Sequence, residues 1–357
     1  MYKFSFGRNL KMANRILRAA QLGIGGNGRG HLSNYNKFTA EGDIIKLVAV
    51  CDIEPEKFGK ADIEFNLDAV KGDVKFDGLH LYTYYHEMIE KEELDLVTIS
   101  LPTYLHHDAT VDCLNAGINV LCEKPMGLNK AECLDMIECA KKNGKLLMIG
   151  QCLRFWDEYV MLKKFIDEKT YGDVVSAYFY RGGATPSWSY QGWYLHKELG
   201  GGAIYDQHIH DVDAVNFLFG MPDAVSTLAK NVIKGSNYDM VSTNYFYKDT
   251  KVINTQNDWT FSGLSFFMGF KVNFTEGTVI MDPSTGFTAA KRGEKMAKVE
   301  IAKKTNAYYN ETRYFAECIL GLHENTVNPP EDSMRTIELV HAEINSARHG
   351  GSKTKIK

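Results

Sequence analysis

The chain has 357 residues, with 41 Lys+Arg against 45 Asp+Glu, a formal net charge of −4, 44% hydrophobic residues and 24% charged residues. This is a globular composition, and the near-balanced charge lacks the basic excess that nucleic-acid binding requires. No apolar run approaches the ~18 residues that cross a bilayer. A soluble protein with no membrane association is therefore expected, and the length suggests two domains.

Residues 1–14 are basic in places but lack an apolar stretch followed by a small-residue cleavage site, so they read as an amino-terminal extension rather than a secretory leader. The seven cysteines stand at 51, 113, 122, 133, 139, 152 and 318, an odd number scattered through apolar segments. None forms a C-x-x-C pair or a zinc-type cluster, which predicts reduced thiols, a cytoplasmic location and no bound metal.

A strand-like run at 16–22 opens directly into Gly23-Ile24-Gly25-Gly26-Asn27-Gly28. Further apolar runs at 45–51, 94–101, 118–122 and 145–149 are separated by helical patterns at 61–70, 85–91, 109–116 and 130–143. In the last helix Cys133, Met136, Ile137 and Ala140 share one face, and Gly144 is a fitting carboxyl-terminal stop. Short strands alternating with helices predict βαβ units and a parallel sheet over 15–150.

Beyond residue 150, helical patterns at 158–168 and 206–219 are joined by β-rich segments at 174–181, 224–233, 241–247, 252–261 and 266–274. Over 174–180 the period of two separates a Val/Ala/Phe face from a Val/Ser/Tyr/Tyr face. This predicts an α+β domain over 151–330 with an open, mainly antiparallel sheet, helices on one face and the other face free or paired with another subunit. A helix at 332–347 and a Gly/Lys-rich tail close the chain over 331–357.

Three constellations carry chemistry. Gly23, Gly25 and Gly28, with Gly26 and Asn27 between them, form a turn that permits close approach of a diphosphate to a helix amino terminus. A glycine-rich turn alone is weak, but Asp52 ends the second strand 24 positions after Gly28, near the ~20 expected for the ribose-binding carboxylate. Ile53 follows Asp52 where an arginine would welcome a 2′-phosphate, so NAD is favoured over NADP. Glu123 and Lys124 follow the strand at 118–122, and Pro102 and His106 follow the one at 94–101. All four stand where open α/β sheets place ligands and are assigned to the cofactor site. The plainer alternatives are a surface charge pair at 123–124, a strand stop at Pro102 and a helix cap at His106.

The densest polar cluster is Gly200-Gly201-Gly202-Ala203-Ile204-Tyr205-Asp206-Gln207-His208-Ile209-His210-Asp211-Val212-Asp213. With a helix starting near 204–206, Asp206 and His210 share a face, and Asp213 is spaced to fix the His210 tautomer. A histidine so paired acts as a base near neutral pH. The rival reading, a metal held by Asp206, His208 and His210, suffers because positions 208 and 210 diverge on a helix. Trp156, Trp188, Tyr190, Trp193 and Tyr194 flank the cluster and suit either sugar stacking or core packing. Arg154 and Arg181 suit either substrate hydroxyls or pairing with acids. Lys124, Arg154, Trp193, Asp206 and His210 are the expected substrate contacts.

In this order the pieces resemble the Gfo/Idh/MocA family of oxidoreductases. The carrying segments are the glycine turn, Asp52 after LVAVC, LDLVTISLPTYLHHDATVDCLNAGINVLCEKPM, IGQCLRFWDEY, GGGAIYDQHIHDVDAVNFLFG and MRTIELVHAEINSA, over about 16–346. The resemblance implies an amino-terminal Rossmann domain and a carboxyl-terminal mixed-sheet domain whose open face builds a homodimer or homotetramer. It also assigns catalysis to Lys124, Asp206 and His210. His210 takes the hydroxyl proton while hydride leaves the same carbon for nicotinamide C4, and Lys124 and Asp206 hold the hydroxyl. Asn27, Gln207 and His208 depart from the family pattern, where apolar or small residues are common. The expected function is an NAD-dependent dehydrogenase acting on a secondary alcohol of a sugar, glycoside or cyclitol. The alternatives are an NAD-dependent glycosidase that oxidises its substrate only transiently, and a non-catalytic NAD-binding regulator.

Overall fold

The structure, a computed structural model, describes residues 15–59, 74–187, 189–301 and 306–356. The expected helix at 61–70, the extension at 1–14 and Trp188 lie outside the described residues.

The first layer set runs β1 (Leu17–Leu22), α1 (Gly26–Glu41), β2 (Ile45–Cys51), β3 (His80–Tyr82), α2 (Tyr85–Lys91), β4 (Leu96–Ile99), α3 (His106–Asn115), β5 (Asn119–Glu123), α4 (Lys130–Asn143) and β6 (Leu147–Gly150). Its six strands are ordered β3-β2-β1-β4-β5-β6, and every pairing is parallel. Helices cover both faces, so the central strands read as continuous apolar runs: all four residues of β4 and of β6 are buried. Local signals set the ends of α4: the Asn129 side chain accepts from the Glu132 amide, and Gly144 adopts φ 62° at the carboxyl end. The strand order reverses between β1 and β4, opening a crevice at their carboxyl ends.

The chain continues through α5 (Asp157–Asp167), β7 (Val174–Gly182), α6 (Ala203–Asp206), α7 (Ile209–Phe219), β8 (Ala224–Lys230), β9 (Met240–Phe246), β10 (Val252–Asp258), β11 (Phe267–Phe274), β12 (Gly277–Asp282), β13 (Gly286–Lys291), β14 (Ala297–Lys298), α8 (Ala307–Ile319), α9 (Pro330–Arg348) and β15 (Thr354–Lys355). These strands form one nine-stranded sheet, β14-β13-β12-β11-β7-β10-β9-β8-β15. The β7–β10 pair is parallel and the other pairs are antiparallel. Ala177, Phe179, Ile253, Phe270 and Val272 point inward onto Tyr159 and Leu162 of α5 and Ala214, Val215 and Leu218 of α7. On the other face the Tyr178 hydroxyl donates to Gln256 at 2.8 Å, and Tyr178 stacks on Tyr180.

Two differences from the sequence expectation matter for the site. The helix expected over 206–219 is two helices, with Gln207 and His208 at the break between α6 and α7. Strands β3, β12, β13, β14 and β15 and helix α8 lie outside the segments that the sequence pattern predicts. The buried face of α8 carries Glu311 and Thr312 among Ala307, Tyr308, Phe315, Ala316 and Cys318, which blurs its apolar period. Ala316 and Leu320 join Leu17, Ala19 and Leu32 on one face of the first sheet. On the opposite face Ile337, Val340 and Ile344 of α9 join Ala20, Val97 and Val120. Late segments of the chain thus clasp the first sheet.

Candidate active site

The glycine turn is shaped by close packing. A Cβ on Gly28 would stand 2.0 Å from the Gly23 carbonyl oxygen, so only glycine lets α1 leave β1 at this angle. A Cβ on Gly25 would meet nothing within 4 Å, because this position faces the open crevice at the amino end of α1. The unpaired amides of that first turn suit a diphosphate. Asp52, 6% exposed, is anchored at the crevice edge: Oδ2 accepts from the Ile24 amide at 2.9 Å and Oδ1 from the Glu54 amide at 3.0 Å. Lys57 Nζ lies 3.1 Å from both oxygens.

Gly23, Gly25, Gly26, Asp52, Glu54 and Lys57 line a cleft of about 980 Å³ that also includes Ser100, Pro102, Glu123 and Lys124. Glu123 is buried, with Oε1 2.7 Å from His31 Nε2 and Oε2 accepting from the Lys124 amide. A second cavity of about 750 Å³ is bounded by Arg181, Gln207, His210, Trp259, Phe266 and Tyr308. Asn27, Lys124, Tyr194 and Asp206 line both spaces, so the two cavities meet at these four residues.

At that junction Lys124 Nζ donates to Asp206 Oδ1 at 2.8 Å and to the Asp206 carbonyl at 2.7 Å. His210 reaches the second cavity from the first turn of α7. Its Nδ1 is buried without a partner among the described residues, which leaves Nε2 as the nitrogen facing the cavity. Burial, reinforced by the positive charges of Lys124 and Arg181, holds the His210 pKa well below the ordinary histidine range. The imidazole is neutral and can accept a proton at neutral pH. Among the described residues no group of three or more His, Cys, Asp and Glu side chains could hold a metal.

Several expectations need correction. Arg154 does not reach a substrate: it is 2% exposed and is held by Asp213 through Nε and Nη2, at 2.9 and 2.8 Å, and by Asp332 through Nη1 at 2.9 Å. Asp213 is therefore occupied and does not orient His210. His106 is 1% exposed, with its ring nitrogens 2.8 Å from the Pro125 and Leu101 carbonyls, so it braces two loops behind the cleft instead of lining it. Trp193 lines the cleft of the glycine turn together with Tyr190, not the second cavity. His208 points away from the site, its Nε2 3.0 Å from Glu343 within a buried group that includes Tyr245. Trp259, Phe266 and Tyr308 also line the second cavity, arriving from distant segments with no local motif to mark them. Arg181 carried a signal, a lone arginine closing an alternating strand, but not its partner.

The parallel sheet, glycine turn and anchored aspartate define a dinucleotide-binding fold, with a second ligand cavity set against it. The profile described as oxidoreductase family, NAD-binding Rossmann fold matches residues 17–151, and that of the GFO/IDH/MocA C-terminal domain matches residues 159–280. The chain belongs to the GFO/IDH/MocA oxidoreductase family, and its amino-terminal domain is an NAD-binding Rossmann fold. It is 31% identical to inositol 2-dehydrogenase of Salmonella typhimurium over 205 residues, 57% of this chain and 54% of that one. It is 29% identical to 2,7-anhydro-N-acetylneuraminate hydratase of Mediterraneibacter gnavus over 170 residues, 46% of this chain and 45% of that one. The matches thus span about half the length of these curated relatives. In three dimensions it superposes on levoglucosan dehydrogenase in complex with NADH and levoglucosan with a TM-score of 0.80, 18% identity and coverage of 96% of this chain and 100% of that one. Among the described residues no helix is long and apolar enough to cross a membrane.

Proposed function

We propose that this protein is an NAD-dependent oxidoreductase that moves a hydride between nicotinamide C4 and a secondary alcohol carbon of a sugar, glycoside or cyclitol. The observation that carries the reading is the meeting of the two cavities at Lys124 and Asp206, with His210 Nε2 opening into the substrate side. The cleft residues fit a dinucleotide: the open space at Gly25 and the start of α1 receive the diphosphate, and Asp52 takes the adenosine ribose. When bound, the cofactor supplies the hydride acceptor. Lys124 donates to the substrate oxygen and Asp206 keeps that ammonium aimed. His210 Nε2 takes the hydroxyl proton as the C–H bond breaks, and the positioned pair supplies orientation. Purified protein with NAD⁺ and a panel of inositols, aldoses and glycosides should accumulate NADH with one substrate class. No accumulation across the panel would refute net oxidation.

A second reading is favoured by one finding: a relative of similar identity is named a hydratase. The same Lys124, Asp206 and His210 would serve a redox-neutral elimination after transient oxidation, and NADH would then not accumulate while substrate is still consumed. The exposed outer face of the second sheet, with Leu228 64% and Val252 63% exposed, supports a homodimer or homotetramer built through it. The seven unbridged thiols support a reducing, cytoplasmic location.

A further inference from the structure

We infer that the substrate cavity is matched to an electrically neutral polyol and discriminates against acid sugars, with the Arg181–Asp211 pair setting that preference. The inference rests on the reading of this cavity as the substrate site and goes on to name its substrate class. Two cations line the cavity, and each already has a carboxylate at contact distance. Arg181, 4% exposed, donates through Nε and Nη2 to the two oxygens of Asp211, at 2.9 Å each, and Asp211 is 0% exposed. Such a fork is the strongest arginine–carboxylate geometry, and the paired carboxylate offsets most of the guanidinium charge that a ligand in the cavity would meet. Lys124 is matched through a single contact, from Nζ to Asp206 Oδ1 at 2.8 Å. The other lining groups that this argument uses are uncharged: Asn27, Gln207, Tyr194, Trp259 and Phe266, with His210 held neutral.

A carboxylate entering this space would be stripped of water and meet no unmatched cation. A hydroxyl meets the opposite situation. Arg181 lines the cavity, and Nη1 is the one guanidinium nitrogen that the Asp211 fork does not use. It is placed to donate to a substrate oxygen away from the reacting carbon. Trp259 and Phe266 offer aromatic walls for the C–H face of a ring.

The test is binding to NADH-loaded protein, in which the nicotinamide ring is uncharged, measured by calorimetry with glucose against glucuronate and galactose against galacturonate. The neutral member of each pair should bind about tenfold tighter or more, a difference of ~1.4 kcal/mol. Asp211→Asn leaves Arg181 unmatched and should shift the ratio toward the acid by a similar factor. The double variant Arg181→Gln with Asp211→Asn restores neutrality, so the preference should return while the neutral sugar binds more weakly for want of the Nη1 donor. Purely structural roles for the pair would lower every affinity together and leave the ratios unchanged. Should the variants fail to fold, the wild-type ratios still decide. Equal or tighter binding of the acids, or no binding of either neutral sugar, overturns the inference. Neutral-selective binding without NADH formation from any polyol would refute net oxidation and leave the charge matching standing.

Discussion

At the scale of single residues, the proposed hydride transfer asks for a base that is neutral when the substrate arrives, and burial beside Lys124 and Arg181 keeps His210 in that state. The sign of the pH effect follows. Protonation removes the base, and a lowered pKa moves that loss to lower pH, so kcat/KM should hold its plateau through the ordinary histidine value of ~6.5 and fall only below it. An acid limb centred at or above that value would show that another group is titrating. The same burial means that the unfolded chain binds this proton first, so stability declines as pH falls below ~6.5. His210→Ala should lower kcat by ~10²–10⁴-fold with NAD affinity nearly unchanged. Lys124→Ala should likewise abolish turnover while fluorescence titration still detects NADH binding; loss of binding instead would make Lys124 a cofactor anchor.

At the scale of elements, the β1–α1 turn separates a packing role from a ligand role within one motif. Gly28→Ala forces a Cβ to 2.0 Å from the Gly23 carbonyl, so the backbone must move. A lowered melting temperature and weakened NAD binding are expected together. Gly25 sits at φ −66° with open space before it, so Gly25→Ala should leave stability within ~0.5 kcal/mol. Its methyl group would occupy the diphosphate space, weakening NAD by about tenfold or more, ~1.4 kcal/mol. Equal effects of the two substitutions on melting temperature would refute this division. The βαβ order, the α4 boundaries and the strand ends that carry Asp52 and Glu123 were legible because capping, burial on both faces and strand length are local properties. The break at Gln207 and His208 was not. His208 faces Glu343 and His210 the cavity, a divergence that helix period gives, but which partner each one meets was set by packing around the helix.

At the scale of the whole molecule, Arg154 ties α7 to the start of α9 through Asp213 and Asp332. Arg154→Ala strands a buried carboxylate and should cost ~3–5 kcal/mol in denaturant unfolding. The folded fraction should keep its KM for substrate, whereas a substrate contact at Arg154 would raise it. The outer face of the nine-stranded sheet sets a further expectation. Light scattering should give a dimer or tetramer mass, and Leu228→Lys should reduce it, with Leu228 already 64% exposed in the single chain.

The sequence by itself determined the family and the dinucleotide turn, and it singled out Asp52, Lys124, Asp206 and His210 as candidates, since each stands in a motif of near neighbours. Only the tertiary structure decided which charges face ligand and which face one another. Arg154 and Asp213 are 59 positions apart, Arg181 and Asp211 are 30 apart, and Lys124 and Asp206 are 82 apart. Arg154 and Arg181 look alike along the chain. They differ because an ion taken from water must find its partner wherever the fold has put one: the Arg154 nitrogens all found acceptors inside the protein, and the Arg181 fork stopped at the wall of a cavity.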